Sequence, residues 1–284
     1  EIRWNEAAAR ARTTRFEPRI EQQVANAVLQ AIEEEAGDAL VFLPGQGEIR
    51  RTQTLLEERG LPKSVKVFPL YGELGAELQD EALQPSPAGQ RKIVLATNIA
   101  ETSLTIEGVR IVVDSGLARR ARFDPSSGMS RLETVRISRA SAEQRCGRAG
   151  RLAPGVCLRL WTETEHASRA SHTSAEISEA DLAPLALELA TWGVRDPQTL
   201  RWLDPPPAAT YAQALDLLRL LGAIDTEQRI TPHGRELARL ATHPRLGHMI
   251  LRSAALQLQQ TAIAIAALLG ERDVLRFAGH ERNV

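Results

Sequence analysis

The stretch Ala39-Leu40-Val41-Phe42-Leu43-Pro44-Gly45-Gln46-Gly47 decides the fold, because five consecutive apolar residues run straight into proline and glycine. A strand with one solvated face alternates apolar and polar side chains, whereas a strand buried on both faces reads as an unbroken apolar run. This run is of the second kind. It has companions at Val65 to Leu70, Ile93 to Ala96 and Val109 to Val113, separated by helical or loop stretches. Short buried strands joined by crossovers imply an α/β fold, a parallel sheet with helices on both faces. In such sheets ligands sit beyond the carboxyl ends of the strands. Here those ends carry Pro44-Gly45-Gln46-Gly47, Tyr71-Gly72, Thr97-Asn98 and Asp114-Ser115-Gly116, so polar and glycine-rich chain is expected on one rim.

Upstream, Val24, Ala27, Val28, Ala31 and Ile32 recur at helical spacing from Ile20 until Gly37,. Downstream, the residues from about 119 to 138 turn at Asp124-Pro125-Ser126-Ser127-Gly128 and then alternate, which predicts a projecting β-hairpin,. A last strand is expected from Val156 to Trp161. Beyond residue 163 the pattern is helical. Leu182, Leu185, Leu189 and Trp192 share a predicted face, with Trp192, Trp202, Leu185 and Leu189 assigned to a core,. Asp204-Pro205-Pro206-Pro207 leads into a helix over Tyr211 to Leu221, and short extended pieces at 223–225 and 229–231 complete the outline of a winged helix. Glu236 to Leu240, Gly247 to Leu258 and Thr261 to Leu269 read as the start of a helical bundle.

The 284 residues are 43% hydrophobic and 25% charged, ordinary for a globular protein, and no apolar run reaches membrane length,. The chain opens on Glu1 rather than Met and reads as a piece of a longer cytoplasmic protein. Two cysteines, Cys146 and Cys157, exclude a disulfide scaffold and suit a reducing compartment,. His243 and His248 are not on one helix face and no carboxylate or cysteine constellation joins them, so no metal site is expected from side chains,.

The net charge of −1 conceals a basic stripe. From Arg110 to Arg159 eleven arginines stand against four carboxylates. Such a stripe suits a polyanion contacted along one face. It is densest at Gln144-Arg145-Cys146-Gly147-Arg148-Ala149-Gly150-Arg151. Guanidinium forks match phosphate oxygens, and the small residues between them let a second surface approach. Ser141-Ala142-Glu143-Gln144 reads as a capping box, so Gln144, Arg148 and Arg151 are expected on one helix face,. The plainer alternative is a solvated basic helix start.

Taken together, these words resemble the DEAH-box helicases, and most closely their bacterial HrpB branch. Thr97-Asn98-Ile99-Ala100-Glu101-Thr102-Ser103-Leu104-Thr105-Ile106 and Gln144 to Arg151 look like motifs V and VI. Val41 to Gln46 resembles motif IV, Pro69 to Leu74 motif IVa, and Trp202 to Pro207 with Thr231-Pro232-His233-Gly234-Arg235 the family's winged helix and its junction with a ratchet-like bundle. The resemblance implies a second RecA-like lobe over 1–163, a winged helix over 164–232 and the start of a ratchet-like bundle over 233–284. It implies ATP clamped between two lobes, with Gln144, Arg148 and Arg151 facing the γ-phosphate as catalytic groups. Thr105, Glu107 and Arg145 would touch the cofactor. Gly45, Thr97 and Asn98 would hold single-stranded RNA or DNA by its backbone, with Ser103 coupling the two sites.

Two departures qualify the match. Leu83 stands where the family often has an aromatic ring on adenine, which implies weak base stacking. Neither Gly-x-x-x-x-Gly-Lys-Ser/Thr nor Asp-Glu-x-His occurs in the 284 residues. The resemblance therefore implies that Mg²⁺ and the phosphate cradle belong to a first lobe not contained here, and that the fragment alone is inactive. Other readings are a non-catalytic nucleic-acid-binding module, which the lone Arg219 on the helix from Tyr211 to Leu221 supports poorly, and a protein-interaction scaffold derived from a helicase lobe.

Overall fold

The computed structural model describes residues 1–5, 19–102, 106–124, 128–151 and 153–270. Among these, a six-stranded sheet has the order β1-β8-β5-β2-β4-β3. Its strands are β1 (Ile2–Trp4), β2 (Asp38–Phe42), β3 (Val65–Leu70), β4 (Arg91–Ala96), β5 (Val109–Asp114) and β8 (Val156–Arg159), and every pairing is parallel. The helices between them are α1 (Ile20–Glu34), α2 (Gln46–Glu58), α3 (Ala76–Leu83), α4 (Ile99–Thr102) and α5 (Arg139–Cys146).

The unbroken apolar runs have the cause expected of them. Successive side chains of a strand point to opposite faces. Ala39, Val41, Leu43, Ile93, Leu95, Ile111 and Val113 pack with Val24 and Val28 of α1 and Ile49 and Leu56 of α2. Leu40, Phe42, Val94, Ala96 and Val112 pack on the other side with Ala82, Ala100 and Ala149. Both faces are dry through the middle of the sheet, so the apolar runs are unbroken there, and charged residues such as Lys66, Arg91, Lys92 and Arg110 stand towards the starts of their strands. Leu83 packs against this second cluster, which gives it a core role.

Between β5 and α5 the chain forms a separate two-stranded ribbon, β6 (Leu117–Asp124) with β7 (Met129–Arg136). Residues 125–127 of its expected turn lie outside the described residues. The chain divides into two compact units, one of Glu1–Arg122 with Arg131–Ser174, the other of Phe123–Ser130 with Ala175–Val284. The boundary falls beyond residue 163, and the ribbon's tip is grouped with the second unit.

In the second unit, α7 (Ala183–Thr191), α8 (Ala208–Leu220) and α9 (Pro232–Arg239) enclose Leu182, Ala186, Leu189, Tyr211, Leu218 and Leu237; the short α6 (Glu163–Ala167) precedes them in the first unit. The short extended pieces after α8 form one antiparallel bridge, Ile224 to Ile230, flanked by backbone bonds Asp225 N to Arg229 O and Thr231 N to Ala223 O. Then come α10 (Pro244–Ser253) and α11 (Gln259–Gly270).

Three expectations are corrected. The edge strand β1 is additional, and β8 stops at Arg159 rather than Trp161. Trp192 is 69% exposed and is not core. The helix ends at Thr191, Gly193 redirects the chain, and Val194 donates its backbone N–H to Leu189 O and packs on the cluster instead. Leu185 and Trp202 pack at the margin of that core and Leu189 within it. The expected capping box is not formed at α5: Ser138, not Ser141, is its N-cap, with its hydroxyl accepting from Ser141 N at 3.1 Å.

Candidate nucleotide and nucleic-acid interface

Helix α5 is two turns long. Gly147 caps its carboxyl end, so Arg148 and Arg151 leave the helix and enter the turns that follow. The expected single stripe of Gln144, Arg148 and Arg151 along one helix face is therefore not formed. Gln144 is exposed on α5, Arg148 is partly buried one turn on, and Arg151 is exposed beyond it.

Arg145 departs furthest from expectation. Only 1% of it is exposed, and its guanidinium lies 4.7 Å from the Phe42 ring centre. Nε donates to Glu101 Oε2 at 3.0 Å, and Nη1 donates to Asp114 Oδ1 at 2.9 Å and to Leu117 O at 3.3 Å. Asp114 is fully buried and also accepts Gly116 N at 2.8 Å. A buried charge must be paired and hydrogen-bonded to be tolerated; Arg145 and the Gly116 N–H do this through Asp114 Oδ1, while Oδ2 is buried without a hydrogen bond,. Arg145 is thus withdrawn from the cofactor set: it ties α5 to α4 and to the end of β5.

Glu101 is the hub of this arrangement and was missed in the sequence. Ser141 Oγ donates to its Oε1 at 2.6 Å, Arg145 holds Oε2, and its main-chain carbonyl accepts from Arg148 Nη2. The segment that resembles motif V is thereby bonded to the segment that resembles motif VI. Desolvation first, and then the like charge of Arg151, lower the proton affinity of Arg148, with Glu101 opposing. An anion placed beside Arg148 and Arg151 would relieve that repulsion.

The expected residues fall on two sides of the sheet rather than one rim. Gly45, Thr97 and Asn98 follow the carboxyl ends of β2 and β4. Gly45 begins α2 and accepts Ile49 N at 3.0 Å; Asn98 is exposed and its carbonyl accepts Glu101 N at 2.9 Å, while Thr97 is partly buried. A Cβ built on Gly45 would lie 3.0 Å from the Arg119 guanidinium carbon, and Arg119 is held there by Glu48 at 3.2 Å. Arg148 and Arg151 instead precede β8, and exposed Glu107 precedes β5, on the amino-terminal side. A Cβ on Gly155 would overlap the carbonyls of Ala149 and Arg110, which fixes the arginine turn against the start of β5. Ser103 and Thr105 lie outside the described residues. Among the described residues no group of three or more His, Cys, Asp or Glu side chains could hold a metal. Arg219 of α8 pairs with Asp216 at 2.6 Å.

Comparison with known proteins accords with this geometry. Residues 23–153 match the helicase conserved C-terminal domain. The chain is 46% identical over 253 residues to the ATP-dependent RNA helicase HrpB of Escherichia coli, covering 89% of this chain and 31% of that protein. It is 40% identical over 248 residues to the probable ATP-dependent RNA helicase DHX34 of Mus musculus, covering 85% of this chain and 22% of that protein. The crystal structure of the Escherichia coli DEAH/RHA helicase HrpB superposes with a TM-score of 0.87 at 42% identity, covering 97% of this chain and 34% of that one. The chain thus spans about a third or less of the length of these relatives. Residues 23–153 carry the helicase conserved C-terminal domain, and over most of its length the chain is similar to DEAH-type helicases.

Proposed function

We infer that the protein to which this chain belongs is an ATP-dependent RNA helicase, and that this chain supplies its second RecA-like lobe (1–163), a winged helix (164–232) and the start of a ratchet-like bundle (233–284). The observation that carries the reading is the placement of Arg148 in the turn after α5, partly desolvated, facing the like charge of Arg151, and bonded to the Glu101 carbonyl of the segment that resembles motif V. In this reading, Arg148 and Arg151 approach the γ-phosphate across a cleft from the lobe that binds it, with Gln144 beside them. Their charge compensates what develops on the transferring phosphoryl group, a contribution worth about 10³ to 10⁵ in turnover for an arginine finger. Glu107, on the same side of the sheet, and Thr105 would bind the ribose.

Gly45, Thr97 and Asn98, on the opposite side, would hold single-stranded RNA by its backbone. Small and short polar residues suit this because main-chain and amide donors bind phosphate without reading bases. Glu101 spans both groups: it follows Asn98 by one turn and binds Arg148. A shift of the backbone at Thr97 and Asn98 when nucleic acid binds would move the arginine turn with it. Mg²⁺, which would neutralise phosphate charge, is assigned to the upstream lobe together with the phosphate cradle. No described helix is long and apolar enough to cross a membrane, and a cytoplasmic location is part of the proposal.

The test is to measure ATP hydrolysis by this chain and by the protein carrying the upstream lobe, each with single-stranded RNA, single-stranded DNA or neither. Stimulated turnover by the longer protein alone supports the reading. Turnover by the 284-residue chain itself refutes it.

A further inference from the structure

The segment that follows α6 is tied along the ribbon from its root outward. Arg169 Nη1 donates to the carbonyl of Gly116, where the chain enters β6, at 2.9 Å, and to that of Ile137, where it leaves β7, at 3.1 Å. Ile137 N donates to Gly116 O at 3.1 Å and closes the same root. Further out, Arg120 Nη2 donates to Ser174 O at 3.2 Å, and Phe123 N donates to Glu179 O at 3.0 Å. Gly116 with Arg169, Arg120 with Ser174 and Phe123 with Glu179 advance in step, so β6 is bonded along its length to the segment that leads from the first compact unit into the second.

The same segment closes the start of α5. The first amides of a helix find no acceptor within it. Here Arg139 N donates to Ala170 O at 2.8 Å, Ala140 N to Ser171 O at 3.0 Å and Ser141 N to Ser138 Oγ at 3.1 Å, and Ser138 Oγ lies 3.1 Å from Thr173 Oγ1. The other end of α5 runs into the turn of Arg148 and Arg151.

Arg169 stands where these ties meet. It is 9% exposed, and its guanidinium carbon lies 4.2 Å from the ring centre of Trp161, which packs with Ile137 of the ribbon root and Ala142 of α5. Gly116 has a φ of +73°, and a Cβ there would fall 2.6 Å from Arg169 Nη2 and 2.6 Å from the Trp161 ring, so only glycine admits the guanidinium at the root,. Burial draws the side chain's proton affinity down to about 10 against the pull of Asp114, and it stays charged at neutral pH. Its Nε is buried without a hydrogen bond, a cost that an apolar side chain in the same space would not carry,. What the guanidinium adds is one group joined to both ends of the ribbon.

We propose that Arg169 is a positioning residue for strand separation, locking the root of the ribbon to α5 and to the connecting segment so that movement of the ribbon reaches the arginine turn. The proposal rests on the helicase reading and adds a residue outside both the nucleotide and the RNA groups. Without the guanidinium, the two ends of the ribbon keep the bond from Ile137 N to Gly116 O and are no longer fixed to the segment after α6. Arg148 and Arg151 keep their turn, so hydrolysis continues, but fewer base pairs open per ATP.

The experiment uses the protein with its upstream lobe and an RNA duplex bearing a single-stranded overhang, with phosphate release and strand separation measured in one reaction. Arg169→Met is expected to keep kcat for ATP within about twofold and to open about tenfold fewer base pairs per ATP, inside the usual range of a coupling between sites. Arg169→Lys, which keeps the charge and can reach a carbonyl, should recover part of that loss. In amide hydrogen exchange, Ile137, Arg139 and Ala140 should exchange faster in Arg169→Met while β2, β4 and β5 stay protected, which marks a local release rather than global unfolding. The proposal is overturned if hydrolysis and strand separation fall by the same factor, if base pairs opened per ATP are unchanged, or if lysine recovers nothing. Should Arg169→Met fail to fold, Arg120→Ala tests the same seam nearer the surface: fewer base pairs per ATP at unchanged hydrolysis supports the proposal, and an unchanged ratio overturns it. A wild-type protein that neither hydrolyses ATP nor separates strands would instead refute the helicase reading, and the inference with it.

Discussion

Replacing Arg145 with methionine separates the structural arginine from those proposed to act on phosphate. The change keeps the apolar stem over Phe42 but deletes a guanidinium that is 1% exposed and pairs with Glu101 and Asp114. Asp114 would retain only the Gly116 N–H on Oδ1 among its hydrogen bonds described above, and it has no exposed surface through which water could compensate. Breaking a buried pair by removing one partner costs about 3–5 kcal/mol. For a domain the size of the first unit, each kcal/mol lowers the melting temperature by about 2–4 °C. The expected drop is therefore about 6–20 °C in a scan monitored by far-UV circular dichroism. Arg148→Ala, which removes one bond to the Glu101 carbonyl from a partly exposed side chain, should cost about 1 kcal/mol,. In the double-mutant cycle of Arg145→Met with Asp114→Asn, the second change should restore part of the loss, by about 0.5–3 kcal/mol. A melting temperature for Arg145→Met within about 2 °C of wild type, or an Arg148→Ala loss as large as that of Arg145→Met, would refute the assignment.

Other outcomes follow from the same geometry. Gly45→Val places a branched side chain where the Arg119 guanidinium packs, so affinity for single-stranded RNA should fall in a fluorescence anisotropy titration while the melting temperature changes little. Trimming the β6–β7 ribbon in the protein with its upstream lobe should reduce strand separation more than ATP turnover, and equal losses would contradict a role at the nucleic-acid channel. Burial first, then His233 and Arg252, hold the His248 imidazole below its ordinary range, with the Leu221 backbone opposing. The folded state thus binds fewer protons than the unfolded chain as pH falls below about 6.5, and stability of the second unit should decline through that window. His248→Gln should flatten the slope in denaturant titrations; an unchanged slope would assign it elsewhere.

The sheet was legible because burial on both faces leaves unbroken apolar runs in the middle of its strands, a signal contained within four or five residues. The edge strand β1 was not, since Ile2-Arg3-Trp4 has neither length nor periodicity and pairs with β8 across the entire lobe. At the site, composition and spacing marked the arginine segment but could not rank its members. Both Arg145 and Arg148 bind Glu101, and what sets Arg145 apart is the buried carboxylate of Asp114, 31 residues away in sequence. The helical stripe failed at Gly147, a stop signal outweighed in the reading by the spacing of the charged residues. Similarly, Trp192 was given to the core by its spacing, although Gly193 ends the helix beside it and hands that position to Val194.

The central claim is that Arg148 reaches a nucleotide bound by another lobe. It is tested most directly by steady-state ATP turnover of the upstream-lobe protein with saturating single-stranded RNA, wild type against Arg148→Ala. A fall in kcat of about 10³ or more, with RNA affinity nearly unchanged and the melting temperature lowered by only about 2–4 °C, is the predicted result. Turnover by the variant at the wild-type rate would contradict the account.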